Sequence, residues 1–68
     1  MHEGILIGRS DGRYGLEDGF YFTSGDYMEY YDEDCKMWFK GRVEYSNGYY
    51  WTDDESVYYL FIGMLVRG

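Results

Sequence analysis

Apolar and polar positions along this chain change over in short runs, and no segment of helical length carries an apolar stripe at 3.6-residue spacing. Between the turn signals stand mostly Tyr, Phe, Trp, Val, Ile and Thr, the side chains that fit a pleated, half-buried surface. Glycines recur along the whole length and proline is absent. Short strands joined by tight turns roughly every eight to twelve residues predict a sandwich or barrel.

Taken in order, the pattern predicts a first strand over Glu3–Arg9, with Leu6 opposite Ile5 and Ile7 and both faces covered. Ser10-Asp11-Gly12 is a turn, and Arg13–Leu16 returns antiparallel with Tyr14 and Leu16 on one face. Glu17-Asp18-Gly19 turns again into Phe20–Thr23, where Phe20 and Phe22 share a face. After Gly25-Asp26, Tyr27–Tyr31 is a strand with Met28 and Tyr30 inward and Glu29 outward. Asp32-Glu33-Asp34 is too charged to bury and forms a hairpin loop into the longest strand, Lys36–Ser46. Within it Trp38 and Val43 have opposite parity, so a bend or bulge near Gly41 is expected to bring both to the core. Asn47-Gly48 is the strongest hairpin signal, a type I′ turn leading to Tyr49–Trp51. Asp53-Asp54-Glu55 is a second acidic turn. Val57–Leu60 is a short strand or a 3₁₀ turn, Gly63 breaks the run, and Met64–Arg67 closes it with Met64 and Val66 together.

The expected fold is therefore all-β: one domain over residues 1–68, a single small SH3-like β-barrel of five to seven short antiparallel strands. Closing the barrel would hide most strand edges.

Composition sharpens this picture. A chain of 68 residues buries only about 60% of its unfolded surface, so its core is small. Cys35 is the only cysteine, which excludes an internal disulfide, and no Cys/His cluster suits a structural metal. Ten Tyr, four Phe and two Trp supply the reinforcement instead. Each buried aromatic removes roughly 150–250 Å² from water. The surplus over one core also allows a homodimer.

Thirteen acidic against six basic side chains give a formal net charge of −7. Direct binding of nucleic-acid phosphate or an anionic membrane is disfavoured, and a basic partner surface is favoured. The plainer reading is that acidity keeps an aromatic-rich chain in solution. No apolar leader follows Met1-His2-Glu3 and no run reaches the ~20 residues of a membrane span. Together with the lone cysteine, this points to a cytoplasmic location.

Several residues in this order form a recognisable set. They are Gly25-Asp26, Met28-Glu29, Trp38, Gly41-Arg42-Val43-Glu44-Tyr45, Gly48-Tyr49-Tyr50, Leu60, Gly63-Met64 and Val66-Arg67, with Asp11-Gly12-Arg13-Tyr14 upstream. This set resembles a short, functionally uncharacterised domain of Firmicute bacteria, their phages and mobile elements. The resemblance covers nearly the whole chain and implies an SH3-like barrel in a phage or mobile-element setting. It implies no catalytic residues.

No constellation predicts catalysis. His2, the only histidine, lies beside a frayed terminus, whereas a catalytic histidine needs a positioned ring with an orienting partner. Cys35 follows an acidic run, a setting that makes it a poor nucleophile. The carboxylate clusters do not match an EF-hand loop and are ordinarily solvated. No metal, cofactor or enzymatic activity is expected.

Two sets of residues remain. The acids Asp32, Glu33, Asp34, Asp53, Asp54 and Glu55, if they share one end of the barrel, could imitate nucleic-acid phosphates. Adjacent tyrosines on strands must face opposite ways, so Tyr31, Tyr50 and Tyr58 are candidates for an exposed aromatic patch; packing across strands is the plainer role. The first expectation is a non-enzymatic phage or mobile-element inhibitor. It would set this acidic, tyrosine-rich surface against the basic, nucleic-acid-binding groove of a host defence protein such as a CRISPR-type nuclease. The alternative is an SH3-like adaptor that binds a peptide or partner protein, or pairs as a homodimer.

Overall fold

The computed structural model describes residues 1–68, an all-β chain of nine strands in two antiparallel sheets. The strands are β1 (Glu3–Ile5), β2 (Ile7–Gly8), β3 (Tyr14–Gly15), β4 (Tyr21–Phe22), β5 (Tyr27–Asp32), β6 (Met37–Tyr45), β7 (Tyr49–Thr52), β8 (Val57–Tyr59) and β9 (Leu65–Arg67). The larger sheet has the order β1-β9-β5-β6-β7-β8, and the smaller is β2-β3-β4. Nine buried apolar side chains form one cluster drawn from both: Leu6, Leu16, Phe22, Met28, Val43, Trp51, Leu60, Met64 and Val66.

The first predicted strand is divided. Leu6 donates its N–H to the Met64 carbonyl at 2.8 Å and accepts from the Gly63 N–H at 2.9 Å. These bonds turn the chain from one sheet to the other and put Leu6 in the core. Ile5 is left 52% exposed, so this segment is covered on one face and not on both. The later pattern holds better. Met64 and Val66 are buried together, and Phe20 meets Phe22 edge to face at 5.0 Å.

The long hairpin corrects the expectation at Gly41. β6 pairs with β5 from Tyr27↔Arg42 to Asp32↔Met37, with Met28 opposite Gly41 and no extra residue in either strand. There is no bulge, and Trp38 stays on the face opposite Val43. It lies over the Arg67 guanidinium, 4.0 Å from its ring centroid. Gly41 serves a different purpose. A Cβ there would stand 2.6 Å from Trp51 and 2.4 Å from the Thr52 carbonyl oxygen, so the missing side chain is what admits the Trp51 indole.

The Asn47-Gly48 connection also differs from a two-residue type I′ turn. Val43 and Trp51, both core residues, stand directly opposite. That register leaves an odd number of loop residues, Ser46, Asn47 and Gly48, between Tyr45 and Tyr49. Positive φ at Asn47 (57°) and Gly48 (138°) lets the chain reverse there.

Glu29 departs from expectation as well. Strand parity points it away from the core as predicted, yet it is only 3% exposed. Arg67 donates to its Oε1 from Nε at 3.0 Å and Nη2 at 2.9 Å. The Tyr27 hydroxyl donates to Oε2 at 2.5 Å. These contacts clasp β9 to β5 on the outer side of the sheet. With Tyr27 first among the causes and Arg67 next, they hold the Glu29 carboxyl below the usual range, against the opposing effect of burial.

Candidate functional site

β5 and β9 pair only at Glu29↔Arg67 and Tyr30↔Val66. Beyond Tyr30 they part, because Met64 turns to bond Leu6. The gap is a groove of about 460 Å³, bounded by the end of β5, the acidic turn after it, Tyr58 of β8 and the Phe61–Leu65 segment. This volume lies within the range of small-ligand and peptide pockets.

Its aromatic wall is a packed set. Tyr30 meets Trp51 edge-on at 4.7 Å, Phe39 at 5.5 Å and Tyr58 at 5.7 Å. Tyr58 is stacked over Trp51 at 5.9 Å while remaining 49% exposed. A half-exposed ring fixed by a buried tryptophan offers contact area at little cost in side-chain entropy. Ile5, Phe61, Met64 and Leu65 supply the apolar remainder.

Asp32, Glu33 and Asp34 form the acidic end of the groove. Of these, Asp32 acts on the Tyr30 hydroxyl. Its pKa is raised, by burial first, then by Tyr58, Asp32 and Asp53. Carboxylates from both acidic turns therefore act on one phenol.

The sequence-predicted residues divide accordingly. Tyr31, Asp32, Glu33, Asp34 and Tyr58 line the groove together. Tyr50 does not: it lies on the outer face of the sheet, edge-on to Tyr59 at 5.8 Å. In the second acidic turn, Asp54 is occupied by Arg42, which donates to its two carboxylate oxygens at 2.6 and 3.0 Å. Arg42 holds the Asp54 carboxyl below its usual range, so this acid is not a free charge.

Two more acids are structural fasteners. Asp32 Oδ1 accepts from the N–H groups of Asp34 at 2.9 Å and Cys35 at 3.2 Å. Asp53 Oδ1 does the same for Glu55 at 3.0 Å and Ser56 at 2.8 Å. Both are Asx turns, the reason Asp is favoured at a strand's end. Glu33, Asp34 and Glu55 project as exposed acids.

Sequence reasoning missed Ile5, Tyr30, Phe61, Met64 and Leu65 as groove residues. By parity Tyr30 reads as a core residue, and Phe61 falls between the last two expected strands. One signal was available: Ser56–Val66 carries no charged residue yet includes Phe61 and Ile62, which are 58% and 69% exposed.

Of the excluded candidates, His2 stacks on Phe20 at 4.1 Å and bonds Asp18 at 2.8 Å, and none of the three lines the groove. Cys35 is exposed in the first acidic turn. No group of three or more His, Cys, Asp or Glu side chains is arranged to hold a metal ion.

The fold and groove define a small all-β domain with an acid-ended aromatic cleft. Over residues 4–67 the chain matches the family described as Domain of unknown function (DUF5348), and it belongs to that family. This agrees with the resemblance of its sequence to an uncharacterised small domain. Neither the curated proteins nor the solved structures yield a match.

Proposed function

We propose that this chain is a non-enzymatic, SH3-like barrel module that binds a protein partner by taking an extended peptide segment into the Tyr30–Tyr58 groove. An apolar side chain of the partner rests on Tyr30, Tyr58, Phe61 and Met64, and a neighbouring Lys or Arg meets Asp32, Glu33 and Asp34. The observation that carries this reading is the joining of an apolar aromatic wall and three acids in one cleft. A net charge of −7 adds attraction for such a partner at long range. The test is selection from a peptide library, followed by titration. Ligands combining an apolar residue with Lys or Arg are expected, with affinity lost in Tyr58→Ala. Selection of acidic or purely polar peptides would refute it.

A second reading retains the inhibitor expected from sequence: a phage or mobile-element protein that occupies a basic nucleic-acid-binding groove in the bacterial cytoplasm. What supports it is that the two acidic turns leave Glu33, Asp34 and Glu55 exposed. Reversing the exposed acids Glu33, Asp34 and Glu55 to Lys is expected to abolish competition with DNA for a host nuclease. Undiminished competition by the folded triple variant would exclude it.

A further inference from the structure

β8 ends the larger sheet, and its outer side has no neighbour. The Leu60 N–H reaches the Tyr49 carbonyl at 3.0 Å. Antiparallel alternation then turns the N–H and C=O groups of Val57 and Tyr59 away from β7. Natural edges are usually guarded by charge, proline or a bulge. The strand itself carries neither charge nor proline, and its register with β7 runs without a bulge; the acids Asp53, Asp54 and Glu55 stand in the turn before it. β1, at the other end of the sheet, is guarded: Glu3 lies on it, and Glu17 and Asp18 line the cleft beside it.

The exposed apolar side chains also collect here. Val57, Tyr58, Tyr59, Phe61 and Ile62 are 57%, 49%, 56%, 58% and 69% exposed. Tyr58 and Phe61 also line the groove, so Val57, Tyr59 and Ile62 are the ones left to this edge. At roughly 150–250 Å² for a large side chain, half-exposed, they offer on the order of 300 Å² per copy, the size of a weak, transient contact completed by main-chain hydrogen bonds.

We propose that the β8 edge pairs antiparallel with the β8 edge of a second copy, extending the larger sheets across a two-fold axis. Charge selects this occupant. A basic partner gains nothing from an uncharged strand, whereas two copies of net charge −7 can meet along it, because antiparallel pairing sends their Asp53–Glu55 turns to opposite ends of the contact. The outward groups of Val57 and Tyr59 are matched by the same groups of the copy when the strands run antiparallel. An interface of this size makes a weak, reversible dimer.

The decisive experiment is light scattering of the full chain from about 10 µM to about 1 mM, at low and high salt. Mass is expected to rise from 8.2 kDa towards twice that value and stop there. Added salt is expected to strengthen association, because it screens the repulsion between like-charged copies. Binding of a basic peptide in the groove has the opposite salt dependence, so the two readings fail separately. Val57→Lys should restore the monomer; Val57 does not line the groove. Amide exchange supplies a readout independent of that variant: the Val57 and Tyr59 amides should gain protection as concentration rises. A monomer throughout, a mass that grows past the dimer, or association unchanged in Val57→Lys with unprotected Val57 and Tyr59 amides would overturn the proposal.

Discussion

The Trp51 indole lies where a side chain on Gly41 would be: a Cβ at that position would stand 2.6 Å from its Cε2 and Nε1 atoms. The same Nε1 donates to the Met28 carbonyl at 3.0 Å. Gly41 thus lets the largest core residue cross β6 and fasten to β5, and it is this tryptophan that holds Tyr58 in the groove wall. Gly41→Ala is expected to lose roughly 3 kcal/mol, at the high end for overpacking because one clashing atom is backbone. Urea denaturation measures it. A loss well under 1 kcal/mol would mean that β6 and β7 separate freely at this point.

The Glu29–Arg67 clasp predicts a pH dependence. Tyr27 and Arg67 lower the Glu29 carboxyl in the folded chain. A lowered folded pKa means stability that is complete above the ordinary glutamate range and is lost as pH falls through the folded value. Asp11, Asp18, Glu44 and Asp54 are lowered as well and have the same sign. Melting temperature should therefore fall on acidification. In Glu29→Gln it should be lower at neutral pH, by about 2 kcal/mol of stability, and less dependent on pH in the acid range. An unchanged acid limb would show that Glu29 does not contribute to it.

The two kinds of acid in the turns should separate in mutagenesis. Asp32→Ala and Asp53→Ala each remove an acceptor shared by two backbone N–H groups. By analogy with a lost helix cap, each should cost about 1 kcal/mol. Glu33→Gln, Asp34→Asn and Glu55→Gln should leave thermal stability nearly unchanged, because these side chains are exposed. Equal melting temperatures across all five variants would remove the distinction.

Much of the all-β character was legible because it rests on local signals. Alternation over Tyr27–Tyr31 located Met28 correctly in the core, and Gly63 correctly marked a break before Met64 and Val66. What could not be read depended on which strands become neighbours. The burial of Glu29 needs Arg67, 38 residues away along the chain. The role of Gly41 needs Trp51 on the adjacent strand; parity alone suggested a bulge for Trp38 in place of an outward position under which Arg67 lies. The groove was half legible. Its acids stand out by charge and Tyr58 by strand parity, but the gap itself arises where β9 leaves β5, a consequence of the Leu6–Met64 bond.

The central claim is that the Tyr30–Tyr58 groove binds an apolar-and-basic peptide segment. Calorimetric titration of a selected peptide into the full chain, Tyr58→Ala, and the double variant Glu33→Lys, Asp34→Lys tests it most directly. Tyr58→Ala should weaken binding about tenfold or more, the ~1.4 kcal/mol or greater of a central aromatic anchor. The charge reversal should weaken it further at low salt than at high salt. Binding that survives both changes in folded protein, with its salt dependence intact, would contradict the account.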